Sequence, residues 1–142
     1  MTEALLSKPC WVIDILPEQV PAGSAGCFFA VERYYLRQSE TEEIHKRFAD
    51  ILLKLNCYSD FQVYLPDSDQ YYTNPAPELL VSWIIREQKD LCVVLPGEEV
   101  LITLNHDDTC MSVYNPSEVL LKRIGSLASA NGLFLWKPEV KE

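Results

Sequence analysis

The stretch Leu91–Tyr114, LCVVLPGEEVLITLNHDDTCMSVY, decides the fold class. Leu91–Leu95 and Val100–Leu104 are short runs rich in β-formers on either side of Pro96-Gly97-Glu98-Glu99, a hairpin loop. A second turn, Asn105 to Thr109, leads into Cys110–Tyr114, so three strands run as an antiparallel meander. Next, Asn115-Pro116-Ser117-Glu118 reads as a helix start, with a cap residue, a proline at the first helical position and an acid beyond it. Leu120, Leu121, Ile124, Leu127 and Ala128 supply its apolar stripe. Asn131-Gly132 ends it, because glycine takes the left-handed conformation at low cost, and Leu133–Trp136 closes as a strand.

Toward the N-terminus, Glu78–Gln88 follows Pro77 as a helix whose apolar residues wrap most of the way round. Such a helix is covered on more than one side, or presents an apolar face through which the chain self-associates. Phe61–Leu65 reads as a strand with Phe61, Val63 and Leu65 inward, and residues 66–77 as a polar, aromatic loop. Ile44, Phe48, Ile51, Leu52 and Leu55 mark a long amphipathic helix, with Ser39 and Glu42 as its expected capping box. Cys10–Leu16 is a strand and residues 17–26 a loop. Cys27–Leu36, with its aromatic residues, is expected to be another strand. The predicted fold is a single α+β domain over residues 1–142, a mainly antiparallel sheet packed by about three helices.

Composition narrows the function classes. Hydrophobic residues at 48% and charged residues at 23% are ordinary for a globular chain. With 21 acids against 12 bases the net charge is -9, the wrong sign for nucleic acid or anionic lipid. The first residues carry no secretory pattern, and no apolar run reaches the roughly 20 residues that span a bilayer. The cysteines at 10, 27, 57, 92 and 110 form no C-x-x-C pair, which is the pattern of reduced thiols in a cytoplasm.

Leu6-Ser7-Lys8-Pro9, Val12-Ile13-Asp14, Leu16-Pro17 and Gln19-Val20-Pro21, with Ser112-Val113-Tyr114-Asn115-Pro116 and Gly132 to Lys137, resemble stretches of small cytoplasmic proteins of Firmicutes bacteria without assigned activity. The resemblance implies a bacterial, cytoplasmic setting and carries no functional residue.

Candidate chemistry is sparse. His106 and Asp107 sit in an Asn-His-Asp-Asp turn that could hold a cation or tune its own proton affinities, but turns favour Asn and Asp for backbone reasons. Residues 67–78 imitate a calcium loop at their ends only, since Tyr72 stands where such a loop needs glycine. Gly23-Ser24-Ala25-Gly26 lacks the lysine of a phosphate loop. Cys110 lies on a core strand, Cys27 at the mouth of an expected strand, and Asp14 is expected to face solvent by strand alternation. No cofactor or metal site is predicted.

Two readings survive. In the preferred one the chain is a non-catalytic, immunity- or adaptor-like module. Asp67, Asp69, Tyr71 and Tyr72 then bind a basic protein partner through charge and cation–π contacts. In the other, a metal- or small-molecule-binding site near the sheet, in an enzyme or a sensor, uses Asp14, Cys27, His106 or Asp107.

Overall fold

The computed structural model describes residues 2–21, 23 and 26–138. In chain order the elements are α1 (Thr2–Leu6), β1 (Cys10–Asp14), α2 (Phe28–Tyr35), α3 (Gln38–Leu55), β2 (Gln62–Leu65), β3 (Gln70–Thr73) and α4 (Pro77–Val81). Then come β4 (Leu91–Leu95), β5 (Val100–Leu104), β6 (Cys110–Tyr114), α5 (Glu118–Ala130) and β7 (Phe134–Trp136). The strands form one antiparallel sheet in the order β3-β2-β4-β5-β6-β1-β7. The expected α+β class and the β4–β5–β6 meander are both present. The sheet is larger than that meander, because the first strand inserts between the sixth and the last.

One face of the sheet is dry. The register aligns Val63, Val93, Ile102 and Val113 in a row across four strands, each at most 1% exposed. Phe48, Ile51, Leu52 and Leu55 of α3, the predicted stripe, are fully buried in the same core, as are Leu120, Ile124 and Ala128 of α5. Helix α4 starts with Pro77 at its first turn and runs on into a π-helical turn, Ser82–Arg86, whose Trp83 and Ile84 are buried. The expectation of a helix covered on more than one side thus holds for its second half. On the opposite face of the sheet α1 covers the β4–β5 part, where Leu5 packs on Val94 and Leu101.

Four local expectations are corrected. Residues 28–35 form a helix and not a strand: β1, the strand before it in the chain, already has β6 and β7 on its two sides, so a hairpin back onto it is blocked, and a helix satisfies its own backbone. Phe28, Glu32 and Tyr35, spaced four and three apart, are its half-buried side. The Ser39–Glu42 capping box does not form, because α3 is capped from Arg37 and Ser39 already lies inside it, donating to Glu40 at 2.8 Å. The cap of α5 is Ser117, whose hydroxyl accepts from Leu120 N–H at 3.1 Å, while Asn115 and Pro116 precede the helix. Residues 66–77 are not all loop, since β3 pairs with β2 from Gln62↔Thr73 to Leu65↔Gln70.

The expected stop of α5 is a paired cap. Gly132 has φ +72°, its N–H bonds Ser129 O, and Leu133 N–H reaches back to Ala128 O at 2.8 Å.

The two serines make these capping assignments testable. Ser117→Ala is expected to cost about 1 kcal/mol in chemical denaturation. Ser39→Ala is expected to stay within about 0.5 kcal/mol of the parent. Equal losses at the two positions would restore the capping box.

Candidate functional site

Three places carry the polar candidates. The first is the β2–β3 hairpin. Side chains alternate along a strand, so Tyr71 and Tyr72 point to opposite faces. Tyr71 lies opposite Tyr64 on the outer face, ring centroids 4.6 Å apart, and is 65% exposed. Tyr64 donates its hydroxyl to Asp69 at 2.9 Å, a bond that raises the phenol above its ordinary pKa. Asp67 and Asp69 are exposed in the turn, where Asp69 takes φ 53°. Tyr72 leaves this group: it packs on Trp83 at 4.7 Å from the inner face. The expected four-residue surface is therefore Asp67, Asp69 and Tyr71 with Tyr64 in place of Tyr72.

The second place is the β5–β6 turn. The Nδ1 of His106 lies 2.8 Å from Asp90 Oδ1, which also accepts the His106 N–H at 2.9 Å. Asp90 escaped the sequence reading because only the β4–β5 register brings the two together. The bond to Asp90 lifts His106 above the usual imidazole value. Burial works against ionised Asp90, but the two bonds from His106 outweigh it and hold the carboxyl below its usual range. His106 and Asp107 border a shallow cleft of about 380 Å³ with Leu36, Thr41 and Gln88. Behind the turn, buried His45 donates from Nε2 to Asp108 O at 3.2 Å, and burial lowers its pKa. These contacts are the ones a turn needs to be pinned to a helix. Among the described residues, no group of three His, Cys, Asp or Glu side chains is placed to hold a metal ion.

The third place surrounds Asp14. Its side chain is not simply solvent-facing, as alternation suggested, but half-buried on the outer side of β1. It lines a cleft of about 340 Å³ between the end of β1, β7, the loop after β1 and the start of α2. Phe28 and Trp136 are half-buried walls, and the Trp136 indole N–H donates to Leu16 O at 2.9 Å. Phe29 is 74% exposed at the rim. Burial raises the Asp14 carboxyl above the usual 3.8, partly opposed by the N–H groups of Ile15 and Leu16, with Glu32 and Asp108 adding to the rise. Cys27 lies between two residues of this cleft, Gly26 and Phe28, and is exposed. Ser24 and Ala25 of the neighbouring glycine-flanked run lie outside the described residues. Asp14 thus lines one cleft, with Cys27 outside its lining residues although both chain neighbours of Cys27 are among them, and His106 and Asp107 border another.

The thiols separate by environment. Burial first, then nearby Asp108 and Asp14, pushes Cys110 up to about 12, so it is protonated at any working pH and a poor nucleophile. Cys27 and Cys57 are exposed. With a disulfide reagent at pH 8, Cys27 and Cys57 are expected to react in the native protein and Cys110 only after unfolding. Fast labelling of Cys110 in mass-mapped peptides would contradict this placement.

A raised carboxyl pKa also has a stability consequence. The native chain holds the Asp14 proton more tightly than the unfolded chain does. The resulting stabilisation is present below about 3.8 and lost as pH rises through the folded-state value. Asp14→Asn is therefore expected to melt above the parent at pH 7, with the gap closing by about pH 3, below the unfolded value. A lower melting temperature for the variant at pH 7 would refute it. In comparisons with known proteins, no family model, curated protein or solved structure matches the chain.

Proposed function

We propose that this protein is a non-catalytic interaction module, immunity- or adaptor-like, that binds a basic protein partner at the β2–β3 hairpin. The observation that carries the reading is the outward-facing Tyr64–Tyr71 ring pair beside Asp69, at the open edge of an acidic chain. Tyrosine faces attract lysine and arginine, and Asp67 and Asp69 stand where those cations would arrive.

The backbone supports the same reading. Asn74 N–H bonds Phe61 O at 2.8 Å, which makes Asn74 and Phe61 a hydrogen-bonded pair. By alternation Tyr72 and Gln70 also bond to β2, so Tyr71 and Thr73 turn their N–H and C=O groups to the free edge. An extended basic segment of the partner adds there as a further strand, its side chains alternating over Tyr71 and toward the turn acids. The edge is short and flanked by acids, which discourages pairing with a second copy of an equally acidic chain.

The second reading, a small-ligand site, is favoured by one observation: Asp14 lines a half-open, largely apolar cleft, whereas the other polar candidates sit on exposed turns.

The partner reading is tested by retrieving proteins from native cell extract on immobilised parent and on an Asp69→Asn/Tyr71→Ala double variant. The parent is expected to retain a stoichiometric basic protein, released by about 0.5 M salt. The variant is expected to lose at least about nine-tenths of it, the effect of roughly 1.4 kcal/mol. Equal retention by the two proteins would overturn the proposal.

A further inference from the structure

The cleft at Asp14 has a composition that selects a class of ligand. Its volume of about 340 Å³ lies within the range of roughly 300–1,000 Å³ of small-molecule sites. Its walls are apolar and aromatic: Leu16, Val20, Pro21, Phe28 and Trp136, with Phe29 at the rim. Two carboxylates, Asp14 and Glu18, open into it, and among the described lining residues there is no Lys, Arg or His. The indole N–H of Trp136 is already given to Leu16 O, so that ring offers the cleft an apolar surface and no donor. An anion entering here meets like charge, and a neutral apolar molecule leaves a half-buried carboxylate without a counter-charge.

We propose that this cleft binds a small organic ammonium ion, its charged end on Asp14 and its apolar body against Phe28 and Trp136. The ammonium donates charge-assisted hydrogen bonds to the Asp14 carboxylate beside those from the backbone, Ile15 N–H to Oδ1 at 2.7 Å and Leu16 N–H. The aromatic walls contribute apolar contact and, where the cation passes over a ring, cation–π attraction. Burial raises the Asp14 carboxyl, the energetic signature of a charge taken partly out of water with no cation beside it. The inference rests on the small-ligand reading and not on the partner surface.

Phenethylammonium is the probe, with 2-phenylethanol as its neutral counterpart, both titrated at pH 7.5 while the Trp136 indole N–H resonance is followed by NMR. The expected result is a saturable shift of that resonance by phenethylammonium, at least about tenfold tighter than by the alcohol. Asp14→Asn, which can still accept from Ile15 N–H, is expected to bring the two probes to within about twofold of each other. Tyr71→Ala is expected to leave the ammonium titration unchanged. Equal affinity of the parent for the two probes, or no movement of the Trp136 resonance, overturns the proposal whatever the fold of the variants. Unchanged discrimination in Asp14→Asn overturns it too, provided the variant's spectrum is native. Loss of ammonium binding in Tyr71→Ala would move the cation site to the hairpin and overturn the assignment to the cleft. The retention experiment on the hairpin is unaffected by any of these outcomes.

Discussion

The seating of α3 on the inner face of the sheet is the contact on which the rest of the molecule depends. Phe48, Ile51, Leu52 and Leu55 have no accessible surface, and neither do Val63 and Val113 beneath them in the same core. Each large side chain buried in this way contributes about 1.5–3 kcal/mol relative to exposure. The row Val63–Val93–Ile102–Val113 exists only if the strands hold one register, because a slip of one residue would send the whole set to the other face. The helix stripe and the strand register therefore specify each other. Helix α5 and the π-helical turn after α4 then fill the space on either side of α3.

That one-sided arrangement determines what the second face can be. With the long helices on the inner side, the outer side has, among the described residues, the short α1 over its β4–β5 part, and the start of α2 borders the cleft at the exit of β1. Between and beyond them the outer positions carry Tyr64, Tyr71, Cys92, Thr103, Ser112 and Trp136, with Asp14 as the charged residue of β1. The acids of the chain are instead concentrated in turns and on helix surfaces. Both functional readings use this asymmetry: the hairpin edge lies at one end of the outer face and the Asp14 cleft at the other.

Much of this was legible in the residues. The meander, the α3 stripe, the inward set Phe61, Val63 and Leu65, the proline start of the fourth helix and the glycine stop of the fifth all follow from local periodicity and turn chemistry. Strand β3 escaped because its burial is not periodic enough to mark it, yet its turn repeats a pattern. Leu65-Pro66-Asp67-Ser68-Asp69 and Leu95-Pro96-Gly97-Glu98-Glu99 both end in an acid with φ 53°, and both lead into a strand. The α2 segment departs from its sequence pattern for a different reason. Aromatic residues favour strands in general, but a strand needs an unpaired neighbour, and the one it would have joined was already enclosed. The candidate sites show the same division: acids and tyrosines were visible as types, while Asp90 beside His106 and Trp136 beside Asp14 were not.

The sequence by itself determined the fold class, the acidic surface and the residues of the main helical core, because these depend on spacing within a few turns of chain. Only the tertiary structure decided that the first strand lies between the sixth and the seventh, which puts Asp14 next to Trp136 at a separation of more than a hundred residues. It also decided that Tyr71 faces outward and Tyr72 inward, since the face a strand residue takes is set by which side the helices cover. Long-range pairing is chosen by total burial and hydrogen-bond satisfaction over the whole chain, and no local window contains that sum.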